Sequence, residues 1–279
     1  MTTHVEGRFT GAAGGKIYWQ GWEPDGDPAG IVVISHGFAE HSGRYAHVAA
    51  RLATEGYVCY ALDHRGHGQS DGVRGNIHRM TGVCADLGRL IALAGERHDG
   101  LPLVLLGHSL GGLIALDYVT SGNQAALRGL ILSGAMMVPG VGSKVERLAA
   151  KVLSSLTPNL GLVPPLDSST ISRDPDVVAA YDADPLNYRG KIRARLGAEG
   201  LAAIDRVTGR LPTISLPVLV LHGTEDQLSS PSGSRLVADR VASQDVTLTL
   251  HDGLYHEIFN EPEQQVVLDE VVAWLTERM

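Results

Sequence analysis

Six short runs of aliphatic and β-branched residues punctuate the chain: IVVISHG (31–37), YVCYALDH (57–64), LVLLGHS (103–109), RGLILSG (128–134), PVLVLHG (217–223) and VTLTLHDG (246–253). Each closes on glycine or a polar turn. Their apolar positions run on continuously, as strands covered on both faces require. Between them lie stretches of helical period: RYAHVAARLATEG, TGVCADLGRLIALAGER, GGLIALDYVTSG, PSGSRLVADRVAS and PEQQVVLDEVVAWLTERM. Strand alternating with helix predicts an α/β fold, a mostly parallel central sheet flanked by helices. The opening GRFTGAAGGKIYWQGWEP reads instead as an antiparallel hairpin turned by GAAGG. The alternation stops over 137–210, where helical patterning and prolines occur without a convincing strand. The expected organisation is a core of residues 1–136 and 211–279 interrupted by a helical cap, 137–210.

Composition narrows the field. A chain of 279 residues, 44% apolar, buries roughly three quarters of its unfolded surface on folding and needs no disulfide or metal for stability. The balance of 23 basic against 31 acidic residues, a net charge of −8, and the absence of any Lys/Arg run argue against a nucleic-acid partner. Cys59 lies inside an apolar run and Cys84 inside a helical one, so both are expected as free thiols in a reducing compartment. The first residues show neither a basic nor an apolar signal region, and no run approaches the 18 or so apolar residues of a membrane span. These features point to a cytoplasmic protein.

The chemistry concentrates at LVLLGHSLGGLI (103–114). Gly107 and Gly111 around Ser109 form G-x-S-x-G at a strand-to-helix junction, where neighbours lacking a Cβ let a nucleophile turn sharply out of the sheet. The turn also places the Leu110 N–H at a helix N-terminus, aimed at a developing oxyanion. A serine needs a base and an orienting carboxylate. His256 follows the last strand, and Asp226 follows the strand before it, in the chain order Ser, Asp, His that this junction type uses. Glu225 rivals Asp226; His251 and Asp252 lie just upstream of His256. The loop after IVVIS supplies a second oxyanion donor, the Phe38 N–H, with His36 as a brace. Asp63, His64 and His67 in DHRGHGQSDG are chemically able to bind metal, but no metal-site spacing accompanies them, and a shape-holding turn is expected.

Together, SHGFAEHSGRY, LDHRGHGQSDG, LGHSLGG, LVLHGTEDQLSS, GLYHEIFNEP and the insertion phrases LDSSTISRDP and YDADPL resemble the monoacylglycerol lipases of the α/β-hydrolase superfamily. The resemblance spans nearly the whole chain. It implies hydrolysis of monoacylglycerols through an acyl-enzyme on Ser109, with His256 as base, Asp226 orienting it, Phe38 and Leu110 N–H groups as the oxyanion hole, and no metal or organic cofactor. It also makes Glu40, Arg44 and Tyr181 candidates for the glycerol end. For Glu40 and Arg44 an internal salt bridge bracing the oxyanion loop is an equal alternative; for Tyr181 the alternative is cap packing. Phe259 departs from relatives that carry a polar residue there. A lysophospholipase or broad carboxylesterase would carry the same triad, and a silent lipid-binding protein on this scaffold would show a damaged one.

Within SKVERLAAKVLSSL (143–156), Val145, Leu148, Ala149, Val152, Leu153 and Leu156 form one helical stripe, with Lys144, Glu146, Arg147 and Lys151 off it. Such a stripe packs on the core, lines an acyl tunnel, or rests on lipid as a peripheral membrane contact. Oligomeric state is not legible in the sequence.

Overall fold

A computed structural model of the chain describes residues 2–138, 140 and 143–279; within 143–279 the side chains of Lys144 and Glu146 lie outside the description, as do residues 139, 141 and 142 of the expected cap. Among the described residues an eight-stranded sheet runs in the order β1 (Thr2–Thr10), β2 (Lys16–Pro24), β4 (Tyr57–Leu62), β3 (Gly30–Ser35), β5 (Leu103–His108), β6 (Gly129–Ser133), β9 (Val218–Gly223), β10 (Val246–His251). β1, β2 and β4 pair antiparallel, and the remaining neighbours pair parallel. The opening hairpin forms as expected, with Thr10 opposite Lys16 and Gly11 N–H donating to the Gly15 carbonyl.

Strand alternation sorts the apolar residues onto two cores. Val33, Tyr60, Leu105, Leu132 and Val220 face one side, against α2 (Met80–Arg97) and α3 (Leu110–Tyr118). Val32, Cys59, Leu106, Ile131 and Leu221 face the other, against α1 (Ala46–Ala53) and α8 (Gln264–Thr276). α7 (Pro231–Arg240) joins the first side through Val237. β3, β4, β5, β6 and β9 are buried end to end, which is why their sequences lack alternation, whereas the edge strand β10 is half-buried throughout. Cys59 and Cys84 are free thiols. No described helix is long and apolar enough to cross a membrane.

The segment between β6 and β9 holds α4 (Lys144–Leu156), α5 (Pro175–Ala183) and α6 (Ala194–Arg210). It also holds two strands that the sequence pattern does not announce, β7 (Gly161–Val163) and β8 (Ile192–Arg193), paired antiparallel. Three and two residues are too few to display a period. α6 buries Leu196, Ala203, Ile204 and Val207 at helical spacing, and Arg206 ties it to α3 by donating to both Asp117 carboxylate oxygens at 3.0 and 2.6 Å. α4 turns Ser154 and Arg147 inward: Ser154 is buried and Arg147 pairs with Asp205 on α6. Its apolar stripe points out, with Val145 77%, Leu148 64%, Val152 47% and Leu156 76% exposed. Of the three alternatives for this stripe, packing on the core is therefore set aside: these four side chains face outward.

Candidate active site

β5 delivers the serine from the middle of the sheet. Ser109 follows its last residue with φ 52° and ψ −118°, a left-handed conformation that costs a non-glycine residue on the order of 1 kcal/mol and persists only where surroundings hold it. Its N–H donates to the Ser133 carbonyl at 2.9 Å, and its own carbonyl accepts from Leu113 and Met136 N–H groups. Close approach explains the glycines: a Cβ on Gly111 would sit 2.0 Å from the Ser35 carbonyl oxygen, and one on Gly107 2.6 Å from that of Gly111. Although Ser109 caps α3, its side chain makes no capping hydrogen bond. Leu110 opens the helix, so its N–H has no intrahelical acceptor.

The turns after β9 and β10 meet beside this serine. His256 Nδ1–H donates to Asp226 Oδ2 at 2.7 Å, and Asp226 Oδ1 accepts from the Leu228 and Ser229 N–H groups at 2.8 and 2.9 Å. Burial pushes the Asp226 carboxyl upward, but hydrogen bonds from His222, His256 and Ser229 win, holding it well below the usual carboxylate range. Glu225 is exposed, Asp252 accepts from Thr224 Oγ1, and His251 pairs with Glu270, so none of the three rivals joins the cluster. His108, whose ring centre lies 4.7 Å from that of His256, is lowered to about 4, by burial first and then by His256.

The loop after β3 is braced from several directions. The Gly37 N–H donates to Glu40 Oε1 at 2.6 Å, which makes Phe38 N–H the next amide along the turn. Ala39 adopts φ 68°, and its carbonyl accepts from Tyr188 N–H at 2.9 Å and from the Tyr181 hydroxyl at 3.2 Å. His36 does brace the loop: Nδ1–H donates to the Gly37 carbonyl and Nε2 accepts from His64 N–H. In the DHRGHG turn, Asp63 Oδ1 accepts from Ser42 N–H and Oγ–H and Oδ2 from Gln69 N–H, so its oxygens hold the turn's shape. No metal-binding cluster of His, Cys, Asp and Glu occurs among the described residues.

Glu40, Arg44 and Tyr181 are brought together with one residue that the sequence does not single out, Glu257. Arg44 donates to both Glu257 oxygens at 2.6 and 2.7 Å and to Glu40 Oε2 at 3.1 Å, with its guanidinium 4.9 Å from the Tyr181 ring centre. Tyr45 donates its hydroxyl to Glu40 Oε1. Burial would raise the Glu257 carboxyl, yet Arg44 holds it below its ordinary value. Nothing in the local sequence marks Glu257, because its partner lies 213 residues away.

Two spaces open at this cluster. A small pocket of mixed polarity is lined by Phe38, Ser109, Tyr181, His256 and Glu257 together with Leu166 and Ile171. Next to it a cavity of about 500 Å³ starts at Phe38 and Leu110 and continues between Met136, Val163, Ile192, Leu196 and Ile204, almost wholly apolar. Its lining combines residues within 137–210 with Phe38, Leu110, Met136 and Leu228 outside that segment, so it could not be read from any one stretch. The arrangement can present a serine hydroxyl, a base and amide donors beside an apolar chamber.

The family described as serine aminopeptidase S33 matches residues 26–263. The monoacylglycerol lipase of Mycolicibacterium smegmatis is 43% identical over 281 residues, covering 100% of this chain and 99% of that protein. The human monoglyceride lipase is 35% identical, covering 96% of this chain and 89% of its own length. Among solved structures, the monoacylglycerol lipase of Paleococcus ferrophilus superposes with a TM-score of 0.82 at 30% identity, covering all of both chains.

Proposed function

We propose that this chain, which belongs to the serine aminopeptidase S33 family and to the monoacylglycerol lipases among the α/β-hydrolases, hydrolyses monoacylglycerols to glycerol and a free fatty acid. One observation carries the reading: Ser109 and His256, the latter paired with Asp226, line a small pocket that shares Phe38 with an adjoining apolar chamber of about 500 Å³, a size suited to an acyl chain. Ser109 Oγ attacks the ester carbonyl while His256 Nε2 takes its proton. Asp226 holds the Nδ1–H tautomer and stabilises the imidazolium. The Phe38 and Leu110 N–H groups bind the tetrahedral oxyanion. Collapse expels the glycerol oxygen, which takes the proton from His256, and leaves the acyl group on Ser109. Water, deprotonated by the same imidazole, then releases the fatty acid and restores the serine.

The acyl chain is assigned to the apolar cavity and glycerol to the small pocket. Glu40 and Tyr181 line that pocket, and Arg44 lies beside them; Glu40 accepts from the Gly37 N–H, Tyr45 and Arg44, and Arg44 is taken up by Glu257, which favours a bracing role for Glu40 and Arg44. Residues 137–210 are read as a cap supplying Val163, Ile192 and Leu196 to the chamber. Through the outward stripe of α4, continued by exposed Leu160 and Leu162, the cap is read as resting on a lipid surface, from the cytoplasmic side, where the substrate partitions.

The test is kcat/KM across mono-, di- and triacylglycerols and lysophospholipids, with fluorophosphonate labelling of the same preparation. Monoacylglycerol preference with modification at Ser109 is the expected result. Equal turnover of triacylglycerol, or a preference for lysophospholipid, would overturn the substrate assignment; an unlabelled Ser109 would overturn the chemistry.

A further inference from the structure

Asp226 is approached by two imidazoles. The second belongs to His222, fully buried near the end of β9. Its Nε2 lies 2.9 Å from Asp226 Oδ2 and 2.9 Å from the Ser229 carbonyl oxygen. Both neighbours are acceptors, so Nε2 carries a proton, hydrogen-bonded to the Ser229 carbonyl with Asp226 Oδ2 alongside, and in the neutral ring Nδ1 is an acceptor. The hydroxyl of Ser234, buried on α7 and 2.7 Å from Nδ1, is then the donor that locks this tautomer. Oδ2 thus accepts from His256 at 2.7 Å and has His222 Nε2 packed against it at 2.9 Å, while Oδ1 is occupied by two backbone N–H groups.

We propose that His222 is a positioning residue for the hydrolysis: with Ser234 it builds an outer arm, Ser234 to His222 to Asp226 to His256, that fixes the carboxylate against which the base is aligned. Without this arm the carboxylate keeps its backbone donors but loses the contact that pins Oδ2 from the α7 side. The arm also draws charge from Oδ2, so its removal leaves the carboxylate more basic and strengthens its hold on a protonated His256. Besides Asp226, His108 faces His256, and burial and the neighbouring His256 hold it to about 4; Glu40, Tyr181 and Glu257 line the same pocket as His256.

This inference rests on the triad reading above, and its test separates the two. The kcat, the KM and the acid limb of kcat/KM are measured with a soluble short-chain ester for wild type, His222→Leu, His222→Gln and Ser109→Ala. His222→Leu is expected to lower kcat roughly tenfold to a hundredfold, the scale of a misaligned base, with KM little changed and the acid limb moved to higher pH. His222→Gln, which keeps an N–H toward Asp226, is expected to recover most of kcat. Unchanged kcat and limb in His222→Leu would overturn the proposal, as would a Gln variant as slow as Leu with an unmoved limb, which marks packing alone. Should His222→Leu not fold, ¹⁵N-histidine spectra of the wild type decide: a protonated Nε2 and bare Nδ1 across neutral pH are expected, and the opposite tautomer refutes it. Failure of the triad reading shows separately, as activity retained by Ser109→Ala.

Discussion

Arg44 and Glu257 form a bidentate ion pair at 2.6 and 2.7 Å, their side chains only 11% and 6% exposed. The pair joins the segment that follows β3 to the residue after His256, and Glu40 completes it from the loop side. Two elements far apart in sequence, one carrying the Phe38 amide and one carrying the imidazole, are thus held at a set separation by charge.

Removing one partner should therefore do more harm than the contact alone suggests. Arg44→Ala would strand two buried carboxylates, and breaking a buried pair costs about 3–5 kcal/mol. Urea denaturation should show that loss for Arg44→Ala, and a smaller one for Glu257→Gln, which keeps a hydrogen-bond acceptor for the guanidinium. Equal midpoints for wild type and Arg44→Ala would show that the pair contributes nothing net.

Ser109→Ala and His256→Ala should each lower ester hydrolysis by several orders of magnitude, and the double variant should fall little further, because the groups act as one unit. Circular dichroism should be unchanged, since the Ser109 side chain makes no capping bond. Additive losses would indicate that the two side chains work in separate steps.

Acid should destabilise the fold before the carboxylates titrate. Burial lowers His36 and His108 to about 4 and His67 to about 3, and lowers His64 too; unfolded, each titrates near 6.5. Between these values the unfolded chain binds protons that the folded one refuses. Stability is then complete above about 6.5 and falls as pH drops toward 4, by up to about 1.4 kcal/mol per pH unit for each such imidazole. Asp226 and Glu257, held low, contribute their own loss only at lower pH. Chemical denaturation between pH 7 and 4.5 reads the slope, and His67→Asn, which keeps a donor for the Arg65 carbonyl, should flatten it.

Polar substitution on the α4 stripe, Val145→Ser with Leu148→Ser, should leave hydrolysis of a soluble short-chain ester intact while slowing hydrolysis of emulsified monoacylglycerol and reducing flotation with phospholipid vesicles. These residues are 77% and 64% exposed, so folding stability should hardly change. Parallel loss on both substrates would assign the stripe to the chamber instead of to lipid.

Local pattern determined much of this protein. Buried parallel strands must read as unbroken aliphatic runs, so β3, β4, β5, β6 and β9 are visible as such along the chain. A serine forced out of a sheet needs glycines where a Cβ would strike backbone, so Gly107, Ser109 and Gly111 mark the turn by residue type and spacing alone. Residues whose partners are distant in sequence carry no such mark. Glu257 reads as one more acidic residue until Arg44 meets it, and His222 as part of a strand end until Asp226 and Ser234 close around it. The direction of the α4 stripe was likewise undetermined, because a helical period specifies an apolar face without saying what it meets. Only the tertiary structure, which turned Arg147 of α4 toward Asp205 of α6, decided that Val145, Leu148, Val152 and Leu156 look outward.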